Sequence, residues 1–152
     1  MPDIVDRETR SRMMSGIRGK DTKPELLIRK GLHARGFRFR LHSSRVPGRP
    51  DLILPRYHAA IFVHGCFWHS HACHLFRMPG TRTEFWKAKL ERNRHRDAEV
   101  REVLLKNGWR ILVIWECALK GKYRLDPDEV LDRATAWVRG DETEGEIAGR
   151  SV

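Results

Sequence analysis

The chain has 152 residues, 33% charged and 40% hydrophobic, with 30 Lys+Arg against 20 Asp+Glu and a net charge of +10 at pH 7. That length suits one domain able to bury roughly 70% of its unfolded surface, and the apolar fraction excludes a disordered polyelectrolyte. The longest apolar runs, Ala59–Val63 and Ile111–Trp115, are far too short to span a bilayer, and the opening MPDIVDRETR holds no apolar signal core, so a cytoplasmic protein with no membrane partner is expected.

Residues 6–18 (DRETRSRMMSGIR) predict a short basic helix with Met13, Met14 and Ile17 on one side. Thr22-x-x-Glu25, with Pro24 in the first turn, is a capping-box start for a helix carrying Leu26, Leu27, Ile28 and Leu32, and Gly36 fits its stop. Phe37–Leu41 alternates apolar and basic residues as a half-buried strand does, and HSSRVPGRP reads as a loop. Asp51–Leu54 and Ala59–Val63 are two short strands around a turn at Pro55. A charged helix from Thr83 to Lys106 follows, with Phe85, Trp86, Leu90, Leu104 and Leu105 as its apolar positions. Trp109–Trp115 is a buried strand with Trp109 and Trp115 in the core, Asp126–Arg139 a helix contributing Trp137, and residues 141–152 an acidic tail expected to fray. The fold class is α/β: a mixed sheet flanked by helices, forming a single domain over residues 1–140.

The charge is lopsided. Residues 1–50 carry 13 Lys/Arg and 5 Asp/Glu, whereas residues 101–152 carry 9 and 10. A basic, asymmetric domain usually meets a polyanion, nucleic acid being the commonest, although a merely solubilising basic surface is the plainer account.

Chemistry crowds into residues 64–74, where six of eleven positions are His or Cys in a chain with only eight His and three Cys. Cys66-x4-His71-x-Cys73 offers three ligands to one ion, and the remaining cysteine, Cys117, follows the Trp109–Trp115 strand. Three thiolates and an imidazole make a closed structural zinc site. Spacing leaves His69, His71 and His74 open as the fourth ligand, and three free buried cysteines are the alternative. One closed site cannot use four histidines, which leaves His64 and His69 for acid–base work. Asp51, at the start of an apolar strand, is either a turn cap or a hard-metal ligand beside such a base.

Several stretches resemble, in order, the very-short-patch mismatch repair (Vsr) DNA endonucleases: Thr9-Arg10-Ser11 with Met14, Pro47–Asp51, Ile61–His69, Thr81–Trp86, and Gly108–Arg110 leading to Ile114–Leu119. The resemblance implies a restriction-endonuclease-like fold with a structural zinc site, and Mg2+-dependent nicking of double-stranded DNA beside a thymine–guanine mismatch. It implies Asp51 as the carboxylate holding Mg2+, with the Val63 backbone carbonyl beside it; Val stands where the family pattern can carry Thr, so a hydroxyl is absent. His69 is similar to the base that activates water, oriented by Asp97, and His64 to a second histidine at the phosphate. Glu25 resembles an accessory acid, though it could equally be the capping-box acid, and Asp97 an ordinary solvated residue of RNRHRD. Zinc falls to Cys66, His71, Cys73 and Cys117. Phe67, Trp68 and Trp86 resemble an aromatic wedge, with Met14 approaching from the opposite groove; core packing is their alternative. The expected partners are mismatched DNA, on the nucleoid, and mismatch-repair proteins, with the chain acting as a monomer. The rival readings are a same-fold nuclease in restriction or defence without mismatch preference, and a non-catalytic zinc-stabilised DNA-binding module.

Overall fold

The computed structural model describes residues 22–150, so the expected basic helix over 6–18, with Met14, lies outside the described residues. The elements are α1 (Lys23–Ala34), β1 (Arg40–Leu41), β2 (Leu52–Leu54), β3 (Ala59–His64), α2 (Thr83–Lys106), β4 (Arg110–Trp115), α3 (Pro127–Arg139) and β5 (Glu144–Ile147). They form a mixed α/β architecture: one five-stranded sheet in the order β1-β2-β3-β4-β5, with three helices. No helix among the described residues is long and apolar enough to cross a membrane.

Local signals start two of the helices. The Thr22 hydroxyl accepts the Glu25 N–H at 3.4 Å, opening α1, and the Asp126 carboxylate accepts the Asp128 N–H at 2.9 Å, opening α3 with Pro127 in its first turn. Ile28 and Leu32 of α1, and Val130, Leu131, Ala134, Trp137 and Val138 of α3, are buried. Those spacings put one apolar stripe of each helix against the sheet. α2 differs: over 24 residues it buries only Leu90 and Leu104, so most of its surface meets solvent.

Strand alternation divides the core. Leu52, Leu54, Ala59, Ile61, Leu112 and Ile114 join the cluster with α1 and α3, whereas Ile53, Ala60 and Ile111 join Leu104 of α2 in another. The β1/β2 and β2/β3 pairs are antiparallel, while β3/β4 and β4/β5 are parallel. The three parallel strands therefore end along one edge of the sheet.

Two sequence expectations are corrected. Only Arg40–Leu41 of the expected Phe37–Leu41 strand pairs, because Phe37 is drawn into the main core beside Tyr57. Within the expected frayed tail of residues 141–152, Glu144–Ile147 forms β5, with Val113 opposite Glu146 and Ile114 opposite Ile147. The sequence hid this strand because only Ile147 of its four residues is apolar; its backbone pairing completes the ladder along β4. Gly145 is needed there, since a Cβ would stand 2.5 Å from the indole nitrogen of Trp137. Arg110 fastens the junction by stacking on Trp137, 4.3 Å from the ring centre, and donating to the Trp137, Val138 and Glu142 carbonyls. Trp115 and Trp137 are buried as expected, while Trp109 is half-buried against the α2 cluster.

Ile61 is fully buried at the centre of β3. Ile61→Ala should cost about 3 kcal/mol through lost burial and the cavity left behind, read as a lower urea midpoint with an unchanged m-value.

Candidate functional site

The antiparallel pairing of β1 with β2 sets two side chains next to one another. Asp51 immediately precedes β2, and His42 immediately follows β1 and donates its backbone N–H to the Asp51 carbonyl at 3.2 Å. The first turn of α1 adds Glu25, whose side chain is 2% exposed. His42 Nε2 lies 2.8 Å from Glu25 Oε1 and 3.9 Å from Asp51 Oδ1. Asp51 Oδ2 accepts the Val63 N–H at 2.6 Å. Glu25, His42 and Asp51 thus offer ligand atoms within 4.8 Å of one another. Burial, reinforced by the Glu25 carboxyl group, pushes Asp51 from its ordinary 3.8 up to about 8, against the stabilising Val63 N–H. The Glu25 carboxylate also meets Arg29 at 3.3 Å, so its partners reach beyond the helix cap.

Beside this group, His64 at the end of β3 stacks on His69 with ring centres 3.7 Å apart and planes within 5°. Asp97 reaches over from α2 and accepts from His69 Nδ1 at 2.6 Å. With Nδ1 engaged by Asp97, Nε2 is the ring nitrogen left for other chemistry. Burial, then the nearby His69, holds His64 well below its usual 6.5, keeping that ring neutral.

The loop after β3 turns tightly: the His69 N–H reaches the Gly65 carbonyl at 3.2 Å and the His71 N–H the Cys66 carbonyl at 2.9 Å. This winding sends Cys66, His71 and Cys73 away from His64 and His69. His71 Nδ1 lies 3.6 Å from both Cys66 Sγ and Cys117 Sγ, and the Cys66, His71, Cys73 and Cys117 ligand atoms all lie within 4.8 Å of one another. Of the histidines that spacing left open, His69 instead joins Asp97 and His74 packs edge-on against Tyr123, their ring centres 4.8 Å apart. Burial raises the Cys66 and Cys117 thiol pKa values and lowers that of His71. Without a cation the thiols are therefore kept protonated and the imidazole neutral.

A cavity of about 630 Å³ gathers Glu25, Asp51, Val63, His64, Phe67, Trp68, His69 and Asp97 on its walls. Phe67, Trp68 and Trp86 form a half-buried aromatic cluster, with ring centres 5.0 Å apart for Phe67–Trp68, 5.5 Å for Phe67–Trp86 and 5.9 Å for Trp68–Trp86. Phe67 and Trp68 face the cavity; Trp86 supports them from α2. Sequence reasoning missed His42 and also Arg49 and Arg96, two cations lining the cavity. The signal for His42 was a register: once Leu41 pairs with Leu52, position 42 falls opposite 51.

The family described as DNA mismatch endonuclease Vsr matches residues 2–75. The DNA mismatch endonuclease Vsr of Escherichia coli is 41% identical over 152 residues, spanning 100% of this chain and 97% of that protein. The type II nicking enzyme V.XorIIP of Xanthomonas oryzae is 43% identical across 78% of this chain and 88% of its own length. V.NmeAIP, a type II nicking enzyme of Neisseria meningitidis, is 43% identical across 80% and 87%.

The raised Asp51 pKa has a stability consequence whose sign is fixed. The folded state binds this proton more tightly than the unfolded chain, so without a cation at the carboxylates stability is lost as pH rises from about 4 towards 8. Asp51→Asn should therefore be the more stable protein at pH 8, by about 1–2 kcal/mol, with the difference shrinking towards pH 4. Paired urea titrations at the two pH values, without added magnesium, measure it.

Proposed function

The chain belongs to the Vsr family of DNA mismatch endonucleases, and on that premise we propose that it nicks one strand of double-stranded DNA beside a thymine–guanine mismatch by magnesium-dependent hydrolysis. One observation carries the reading. A carboxylate pair, Glu25 buried and Asp51 half-buried, and an imidazole oriented by Asp97 face the same cavity, with aromatic rings on its wall. We read the mixed sheet with its flanking helices as restriction-endonuclease-like.

The two donor sets suit different ions. Asp51, Glu25 and the Val63 carbonyl are hard oxygens fit for Mg2+, while Cys66, His71, Cys73 and Cys117 suit a tetrahedral Zn2+ of structural type. When bound, the magnesium supplies positive charge against the oxygens of the scissile phosphate.

The rest of the mechanism belongs to the chain. β3 carries Ile61, Phe62 and Val63, so no acid-x-Lys pair is available on that strand to activate water. His69 takes the proton at Nε2, and Asp97 both holds the ring and stabilises the imidazolium that results. Neutral His64, stacked alongside, contacts the phosphate or assists the leaving oxygen. Glu25 keeps Asp51 company as the accessory acid, and His42 holds Glu25 in place through Nε2. Arg49 and Arg96 grip the DNA backbone, adding to the basic N-terminal segment.

Mismatch recognition falls to the aromatics. A thymine–guanine wobble pair unstacks more readily than a Watson–Crick pair, so Phe67 and Trp68, backed by Trp86 and met by Met14 from the other groove, insert there at lower cost. A second reading, nicking without mismatch preference, draws support from the similarity to type II nicking enzymes.

Two duplexes differing only by one thymine–guanine mismatch separate these readings: nicking confined to the mismatched duplex supports the first, and equal nicking of both the second. His69→Ala should slow nicking at least about 100-fold while DNA binding is retained; turnover near wild type would remove His69 from the reaction. Trp68→Ala should lose discrimination between the duplexes while keeping the fold, and unchanged discrimination would exclude the wedge.

A further inference from the structure

The Cys66, His71, Cys73 and Cys117 cluster lies where the three parallel strands end. β3 leads into the loop bearing Cys66, His71 and Cys73, and β4 leads to Cys117. The third strand, β5, contributes no ligand, yet the segment it leads into touches the cluster directly and the strand itself reaches it through Trp115. The Gly149 N–H donates to Cys117 Sγ at 3.3 Å. Glu146 Oε1 accepts from Trp115 Nε1 at 2.9 Å, and the Trp115 indole lies flat on His71, with ring centres 4.1 Å apart and planes within 9°. The segment is itself secured beyond these contacts, since the Arg150 N–H reaches the Tyr123 carbonyl at 2.7 Å.

Glycine at 149 is a steric requirement. A Cβ there would stand 2.5 Å from the Cys117 carbonyl oxygen and 2.8 Å from that of Tyr123, both backbone atoms with little room to give. Only a residue without a side chain lets the backbone N–H come this close to the sulfur.

We propose that residues 146–149 are the outer shell of the metal centre, with Gly149 and Glu146 as positioning residues that hold Cys117 and His71 as ligands and slow release of the ion. The proposal rests on the reading of the four side chains as zinc ligands. Three thiolates give a divalent ion more negative charge than it needs, and an N–H aimed at one sulfur offsets that excess. Fixing the Trp115 indole fixes the His71 ring beneath it, because the imidazole cannot turn without losing its stacked face. Partners of this kind typically change metal affinity 10- to 100-fold.

The test uses the full chain as purified, with zinc content measured and release followed by a chromophoric chelator. Gly149→Ala and Glu146→Leu should each release zinc about 10- to 100-fold faster than wild type. Glu146→Gln, whose amide oxygen still accepts from Trp115, should release at the wild-type rate. Cobalt substitution adds a signature that general loosening would not produce: the thiolate-to-cobalt absorption band should move in Gly149→Ala and stay in place in Glu146→Gln. If Gly149→Ala fails to fold, the Glu146 pair decides. Wild-type release rates in Gly149→Ala and Glu146→Leu would overturn the proposal, as would equal rates in the two Glu146 variants. A wild-type chain without zinc would overturn the ligand reading beneath it, an outcome distinct from zinc that is present but indifferent to these residues.

Discussion

The winding of the loop between His64 and Cys73 is the constraint on which the rest of the site depends. Its backbone bonds, His69 to Gly65 and His71 to Cys66, turn neighbouring side chains to opposite sides. Toward one side go the thiols and His71, which meet Cys117; toward the other go His64 and His69, which face the cavity with Asp51. Trp115 sits between the two groups, stacked on His71 and edge-on to His64 at 5.4 Å and His69 at 6.4 Å. The indole at the end of β4 thus touches both groups, so loss of order in the thiol cluster would reach the proposed base through this side chain as well as through the loop backbone.

The two halves of the site carry the same electrostatic defect in different chemistry. Around Asp51 there is too much negative charge in too little water, and the proton is retained up to about pH 8. Around Cys66 and Cys117 burial keeps protons on sulfur. Each defect is offset by a cation, a hard one at the carboxylates and a softer one at the thiols. A core built for stability alone would hold neither group. Their retention at the end of a sheet whose interior is apolar marks this edge as the place where stability is given up for chemistry.

Legibility in the sequence followed the range of the interactions. Thr22 and Asp126 announce their helices because a cap acts over two or three residues, and the loop at 64–74 announces itself by composition. The longer-range placements are another matter. His42 stands beside Glu25 and Asp51 only because β1 and β2 pair in one register, and no local pattern distinguishes it from an ordinary loop histidine. By local pattern Asp97 is one more charge in a charged helix and only the family resemblance pairs it with His69; the rotation of α2 against the loop is what aims it there. β5 was illegible because its stabilisation comes from the β4 backbone and from Arg110 and Trp137, while its own residues alternate glutamate with little else. Sequence reasoning found the groups that carry chemistry, with Asp97 beside His69, and missed His42, Glu146 and Gly149, which pack behind them.

The placement of β5 bears on how the gene tolerates damage. A ribosome has made all four cluster residues by position 117 and every described residue of the cavity by 116, yet Glu146 and Gly149 come 29 and 32 residues after Cys117. A premature stop or frameshift after residue 140 would leave the whole apparatus encoded and strip away the strand that closes the edge of β4. Such alleles would look intact by any inventory of motifs, and yet expose an unpaired strand edge beside the thiols. The described stretch after residue 140 supplies no side chain to the cluster or the cavity, and it is nonetheless a place of genetic vulnerability.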